Sequence, residues 1–394
     1  MISFGILYLY MKGVQMIQFE NVSKKYRGTD AEVVKDINFT IPSGQIVVLI
    51  GPSGCGKTTC LKMINRLVKI SSGKIYIDGK DIMDQDPIEL RRNMGYVIQQ
   101  TGLFPHMTVR ENIEVIPRLQ KKDPEEIDKR TEKLMKMVGL DSDQYLDRYP
   151  TQLSGGQLQR VGVARAFATD PDIILMDEPF SALDPITRSQ LQDELLFLQS
   201  KLKKTIVFVT HDMDEAVKIA DRICIINGGR IVQYDTPEEI MKHPANEYVA
   251  DFVGKNRIWA NPEYIRAEDI MLPDPLAVPQ TLSALHAIEQ MREKHVTSAM
   301  VLDDDEKLIG YVRATDIQRA ADKNVSVSAL MKDCVVTVVP EDDLVKLLDL
   351  INKNDVQALP VVNRWGRLEG LITNSSLVTT MSRQYIDLEK EVSA

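Results

Sequence analysis

Residues Gly51-Pro-Ser-Gly-Cys-Gly-Lys-Thr58 have the spacing GxxxxGK[ST]. They follow an apolar run over 45–50 and open a helical pattern over 57–68. Between a strand and a helix, such glycines let backbone N–H groups wrap around a phosphate, with the helix N-terminus pointing at the anion. Lys57 is expected to reach the β- and γ-phosphates, and the Thr58 hydroxyl to bind Mg²⁺. A second apolar run, over 173–176, ends in Asp177 and Glu178. An Asp at the end of such a strand can hold Mg²⁺, and the adjacent Glu can face the water that attacks a γ-phosphate. Positioning and charge neutralisation carry most of the catalysis of phosphoryl transfer. A third string, Leu153-Ser-Gly-Gly-Gln157, precedes a helix. Its Ser154 hydroxyl and glycine N–H groups form a second anion-binding cap.

The elements that position these residues follow from hydrophobic period. Short alternating runs over 16–50 predict antiparallel strands, and the continuous run over 45–50 predicts a strand buried on both faces. Residues 107–170 have a helical period, with Pro117, Pro124 and Pro150 as breaks. Buried strands over 173–176 and 205–210 follow, and strands alternating with helices predict a parallel α/β sheet. Residues 255–266 read as a linker. Beyond it lies an internal repeat. Ala267-Glu-Asp-Ile-Met271 recurs as Val327-Ser-Ala-Leu-Met331, Met300-Val-Leu302 as Pro360-Val-Val362, and Leu308-Ile-Gly-Tyr-Val312 as Leu368-Glu-Gly-Leu-Ile372, all at an offset of sixty positions. Each copy reads strand, helix, strand, strand, helix, as a tandem duplication would.

Composition excludes several classes. The 394 residues carry a net charge of −9, against a general nucleic-acid binder. Residues 255–394 hold 16 Lys and Arg against 22 Asp and Glu, so most of the excess acid is there. No apolar run approaches the roughly 18 residues of a membrane span. The four cysteines form no CxxC pair, which argues against a zinc site or disulfide framework and for a reducing compartment. The apolar stretch from Ile2 to Met11 lacks the basic start and cleavage site of a signal peptide. Residues 1–15 are read as an upstream start or a disordered extension before a domain that opens at Met16, with a short membrane-touching or partner-docking segment as the other reading.

With LSGGQ, the phosphate loop and the Asp-Glu strand end in this order, residues 16–254 resemble the ATP-binding cassette (ABC) ATPase family. The resemblance implies an α/β fold: an antiparallel β subdomain, a parallel α/β core and a helical subdomain. It implies that ATP and Mg²⁺ bind at Tyr26, which stacks on adenine, and at Gly51, Pro52, Ser53, Gly54, Cys55, Gly56, Lys57, Thr58 and Thr59. Ser154, Gly155, Gly156, Gln157 and Asp184 complete the site, Asp184 from a loop that crosses to the opposite subunit. Thr58, Gln99 and Asp177 are the implied metal contacts. Glu178, His211, Gln99 and Lys57 are the implied catalytic set, with His211 as the switch at the γ-phosphate. The implied partners are a second copy, head to tail, and membrane permease subunits gripped by residues 99–111. An extracellular substrate-binding protein acts through the permease, with no nucleic acid. The implied location is the cytoplasmic face of the cell membrane, as a peripheral subunit.

Met63-Ile-Asn-Arg-Leu67, Gly95-Tyr-Val-Ile-Gln-Gln100, Phe104-Pro-His-Met-Thr108 and Phe180-Ser-Ala-Leu-Asp-Pro-Ile-Thr-Arg188 look like the ATPases of bacterial importers for glycine betaine, carnitine and choline. Ser181 departs from the Gly of many relatives. The repeat resembles tandem cystathionine-β-synthase (CBS) domains, an α+β module, over 267–325 and 326–384, with residues 385–394 as a terminal tail. Such modules sense adenine nucleotides, a cyclic dinucleotide or ionic strength. Each copy keeps half of the usual nucleotide motif: Gly310, Arg313 and Asp316 in the first, Gly370, Thr373 and Ser376 in the second. Arg313, Lys332, Arg364 and Arg367 are candidate cations for an anionic ligand. Nothing in the chain touches cargo, so the same motor with another cargo, or exporting, is the alternative reading.

Overall fold

The computed structural model describes residues 17–28, 31–99, 102–181, 183–254, 257, 261–322, 324–334 and 336–380. The extension over 1–15, the tail over 385–394 and most of the linker's first half lie outside the described residues. The chain divides into two compact units, Met1–Val253 and Gly254–Ala394.

The first unit opens with β1 (Ile17–Lys25), β2 (Glu32–Ile41), β3 (Ile46–Ile50), α1 (Lys57–Ile64), β4 (Ser72–Ile77), β5 (Lys80–Asp81), α2 (Pro87–Arg92) and β6 (Met94–Val97). The helical stretch holds α3 (Val109–Leu119), α4 (Pro124–Met137), α5 (Ser142–Tyr145) and α6 (Gly155–Ala166). Then come β7 (Ile173–Asp177), α7 (Pro185–Leu202), β8 (Thr205–Val209), α8 (Met213–Ile219), β9 (Arg222–Asn227), β10 (Arg230–Asp235), α9 (Pro237–Lys242) and α10 (Glu247–Val253).

One sheet has the order β2-β1-β4-β5 and is antiparallel. The second has the order β10-β9-β3-β8-β7-β6, parallel from β9 to β6 with β10 antiparallel at its edge. Every residue of β3, β7 and β8 is buried, which is why these strands read as continuous apolar runs. Because β3, β8 and β7 are neighbours and parallel, the loops that follow them open on one edge, where ligands of open α/β sheets bind.

Local chemistry sets the helix starts. Thr108 and Glu111 form a reciprocal cap on α3, Asp123 caps α4 ahead of Pro124, and Asp184 caps α7 ahead of Pro185. Pro117 does not break its helix. It lies in the last turn of α3, where only one intrahelical bond is lost and the Gln120 N–H recloses onto the Ile116 carbonyl.

The second unit comprises α11 (Ala267–Ile270), β11 (Leu272–Pro273), β12 (Ala277–Pro279), α12 (Ala284–Glu293), β13 (Ser298–Leu302), β14 (Leu308–Arg313), α13 (Ala314–Arg319), α14 (Leu344–Asn354), β15 (Ala358–Val362) and β16 (Leu368–Thr373). Its sheets have the orders β12-β13-β14 and β11-β16-β15. The first copy shows the expected strand, helix, strand, strand, helix. In the second, the first strand is reduced to a single bridge from Val338 to Val361.

The folding units do not follow the sequence repeat at its opening segments. Ile265, Ala267 and Ile270 pack into the core of the second copy, and Val327, Leu330 and Met331 against that of the first. Ile265, at the end of the expected linker, is thus a core residue. The exchange is symmetric. The Leu344 N–H donates to Ile265 O as the Ala284 N–H does to Val325 O, and the Ala267 N–H donates to Asp342 O as the Val327 N–H does to Leu282 O. Each bond has its counterpart sixty positions away.

Candidate active site

The phosphate loop leaves β3 at Gly51 and closes at Gly56, the residue before α1. Gly56 has φ of 107°, and a Cβ there would sit 2.8 Å from the Val33 carbonyl oxygen. Both the left-handed backbone and the close approach require glycine. Lys57 is buried, and its Nζ donates to the carbonyls of Gly51 at 2.7 Å and Pro52 at 3.0 Å. The ammonium is held over the loop by the loop's own backbone.

The ends of β7 and β8 complete the cluster. Thr58 Oγ1 donates to Asp177 Oδ1 at 2.7 Å, and Lys62 Nζ lies 3.6 Å from Asp177 Oδ2. Asp177 is 4% exposed. A hydroxyl and a carboxylate side by side are hard oxygen donors, and Mg²⁺ is typically held through one or two carboxylates plus substrate phosphates, so this pair fits the ion. Glu178 adopts φ of 47°, rare for a residue with a side chain, and its N–H donates to Val209 O at 3.0 Å. Gln99 Nε2 donates to Glu178 Oε2 at 2.9 Å, and His211 Nδ1 lies 3.5 Å from Glu178 Oε1. Three segments far apart in the chain therefore meet at one carboxylate.

Tyr26 OH is 3.3 Å from Thr59 Oγ1, and Lys24 Nζ lies 4.9 Å from the centre of its ring. Burial of Cys55 raises its thiol pKa, with nearby Lys57 opposing, and burial pushes Cys60 up to about 12. Both thiols stay protonated and act as packing groups. Tyr96 escaped the reading of the sequence as a site residue. Burial, then the adjacent Asp177 charge, raises its phenol pKa, so it is a neutral wall beside that carboxylate. Its only signal was its place on β6, next to β7.

Ser154, Gly155, Gly156 and Gln157 stand at the start of α6. Ser154 Oγ accepts from the Gln157 N–H at 3.3 Å, Gln157 Oε1 accepts from the Ser154 N–H at 2.9 Å, and Gln157 Nε2 donates to Tyr145 OH at 3.1 Å. Their side-chain bonds run within this cap and to Tyr145, not to the phosphate loop. Asp184 accepts from the Ile186 and Thr187 N–H groups. The Thr187 hydroxyl and N–H hold its carboxyl below the usual range.

The ABC transporter family pattern matches residues 34–181, and the CBS domain pattern matches 267–323 and 327–383. The choline transport ATP-binding protein OpuBA of Bacillus subtilis is 47% identical over 381 residues, covering 96% of this chain and 100% of that protein. The chain belongs to the ABC transporter ATPases. The glycine betaine/carnitine/choline transport ATP-binding protein OpuCA of the same organism is 49% identical, over 92% of this chain and 95% of that protein. The carnitine transport ATP-binding protein OpuCA of Listeria monocytogenes is 48% identical over 92% and 91%. Among solved structures, the dimeric bacterial ABC transporter cassette MJ0796 superposes with a TM-score of 0.52 at 36% identity, over 56% of this chain and 98% of that one. This ABC ATPase therefore has a cassette, which hydrolyses ATP in coupling to transport, and a tandem CBS unit. No helix among the described residues is long and apolar enough to cross a membrane.

In the CBS unit of this ATPase, the half-motif residues are already engaged. Lys332 Nζ lies 2.9 Å from Asp316 Oδ2, and Arg313 stacks over Tyr311 at 5.4 Å. Thr373 and Ser376 bond to each other at the start of the helix over 374–380. Of the other candidate cations, Arg367 is 3.6 Å from Glu306, and Arg364 lies over the exposed Trp365 ring at 4.4 Å.

Proposed function

We propose that this chain is the ATP-hydrolysing subunit of a bacterial importer for quaternary-ammonium osmoprotectants such as glycine betaine, carnitine and choline. The carrying observation is the likeness to OpuBA over the whole of that protein, cassette and CBS unit together. The subunit sits at the cytoplasmic face of the membrane, held there by permease subunits that take substrate from an extracellular binding protein.

Two copies act head to tail, each ATP lying between one copy's phosphate loop and the other copy's Ser154–Gln157 cap. Lys57 exchanges the Gly51 and Pro52 carbonyls for the β- and γ-phosphates. Thr58 and Asp177, with Gln99, hold Mg²⁺, which neutralises phosphate charge when bound. Glu178 accepts a proton from the attacking water, and Gln99 and His211 set the direction of its carboxylate. The left-handed backbone at Glu178 keeps that carboxylate at the strand's edge rather than in the core. The CBS unit gates transport in response to ionic strength or a cyclic dinucleotide. Its acidic balance supports a charged contact that salt can weaken, since exposed charges farther apart than about 8–10 Å are screened at physiological ionic strength.

The test is uptake of labelled glycine betaine, carnitine and choline by cells at low and high osmolality, comparing wild type with Glu178→Gln. Uptake that rises with osmolality and vanishes in the variant supports the reading. Equal uptake in both strains moves the assignment to another cargo or to export.

A further inference from the structure

Leu183, just before α7, and Asp212, the residue after His211, are bridged by the Arg188 side chain. Arg188 lies in the first turn of α7. It donates from Nη2 to the Leu183 carbonyl at 3.2 Å and from Nη1 to Asp212 Oδ2 at 3.3 Å. Asp212 follows His211 directly, and its other oxygen accepts from the Asp214 and Glu215 N–H groups, capping α8. Ser181 Oγ donates to the Glu178 carbonyl at 3.0 Å, so the same loop is fastened to the strand-end carboxylate residue.

We propose that Arg188 is a positioning residue: it couples the 181–184 loop to His211, so that the histidine's placement follows the loop that faces the second subunit. The inference rests on the proposed hydrolysis site between two copies. The guanidinium is a planar fork with fixed donor directions. A shift of the Leu183 carbonyl must therefore move Asp212, and His211 with it, or break a charge-assisted bond. Glu178, Ser181, Arg188, Thr210, His211, Asp212 and Glu215 are among the residues that line a cavity of 30 Å³. Among the described residues, Arg188 Nε is buried without a hydrogen-bond partner. The fork is thus held through its two terminal nitrogens, while the bond its Nε could make is unmade. A buried donor left unmade is costly, which favours a shift of the loop that finds Nε an acceptor. The Glu215 carboxyl borders the same space.

The experiment is steady-state ATP hydrolysis by the full chain against ATP concentration. Arg188→Met is expected to lower kcat roughly tenfold with KM within about twofold, and to drop the Hill coefficient from near 2 toward 1. Asp212→Asn, which keeps the cap oxygen and loses the charge, is expected to reproduce the loss, with the double variant no slower than the slower single. Arg188→Lys keeps the charge without the fork and is expected to fall between; it also serves if the Met variant does not fold. Turnover and Hill coefficient unchanged in both Arg188 variants, or losses that multiply in the double variant, would overturn the coupling. A wild-type chain without ATP hydrolysis would overturn the site reading and this inference with it, and is told apart because no variant then has a rate to change.

Discussion

Gln99 donates a 2.9 Å hydrogen bond from Nε2 to Glu178 Oε2. The two residues stand beyond the ends of adjacent parallel strands, β6 and β7. Gln99 opens the segment proposed to meet the permease and Glu178 is the proposed base, so the bond would tie the two roles together. Replacing Gln99 by Glu puts two carboxylates in contact, where both cannot stay ionised at full strength. Gln99→Glu is expected to slow ATP hydrolysis roughly 100-fold at pH 7, with partial recovery at lower pH as one carboxyl takes a proton. A pH–rate profile without that acid-side recovery counts against the contact.

Asp177 shares its oxygens between the Thr58 hydroxyl and Lys62. Asp177→Asn keeps an acceptor for Thr58 and removes the charge. Titrating Mg²⁺ into the variant should show a half-saturation at least about tenfold above wild type, with nucleotide binding less affected. Removing Mg²⁺ with EDTA should abolish turnover in both.

The exchanged segments of the CBS unit meet at two glycines. A Cβ at Gly310 would lie 2.6 Å from the Lys332 carbonyl oxygen, and one at Gly370 would strike Met271. Gly370→Ala is therefore an overpacking change, expected to cost about 1–3 kcal/mol locally. Hydrogen exchange on the full chain should show faster amide exchange in β16. Adding Met271→Ala should slow it again, and failure of that rescue would break the link between the two residues.

Burial raises the Glu215 carboxyl pKa, the Thr210 hydroxyl and Gln192 amide lower it, Asp212 raises it and Arg188 lowers it. The folded pKa lies above the ordinary value, so the fold loses stability as pH rises through the window above 4.5 and keeps it below. Glu215→Gln removes that loss. Its Tm should match wild type near pH 4 and exceed it at pH 7–8; an equal offset at both would show that the effect is not one of ionisation.

Much of this protein was legible because its signals are local. Caps at Thr108, Asp123, Ser154 and Asp184 act within three residues of themselves. The strands buried on both faces read as unbroken apolar runs. The phosphate loop was legible from spacing, since each glycine answers a backbone constraint of its own. Pro117 misled because the cost of a proline depends on how much helix lies beyond it, which the residue type alone does not state.

The sequence by itself determined the candidate residues for phosphate chemistry, the buried strands over 45–50, 173–176 and 205–210, and that the tail is duplicated. Only the tertiary structure decided who meets whom. Thr58 reaches Asp177 because β3, β8 and β7 are neighbours, an order that pairing across the sheet selects and no local pattern encodes. The repeats exchange their opening segments because each copy's core is closed by apolar side chains from the other, which a sixty-residue period cannot distinguish from self-closure. Arg188 finds Asp212 for the same reason: its fork has five donors, and only the packed arrangement of α7 against the segment after β8 says which acceptors they meet.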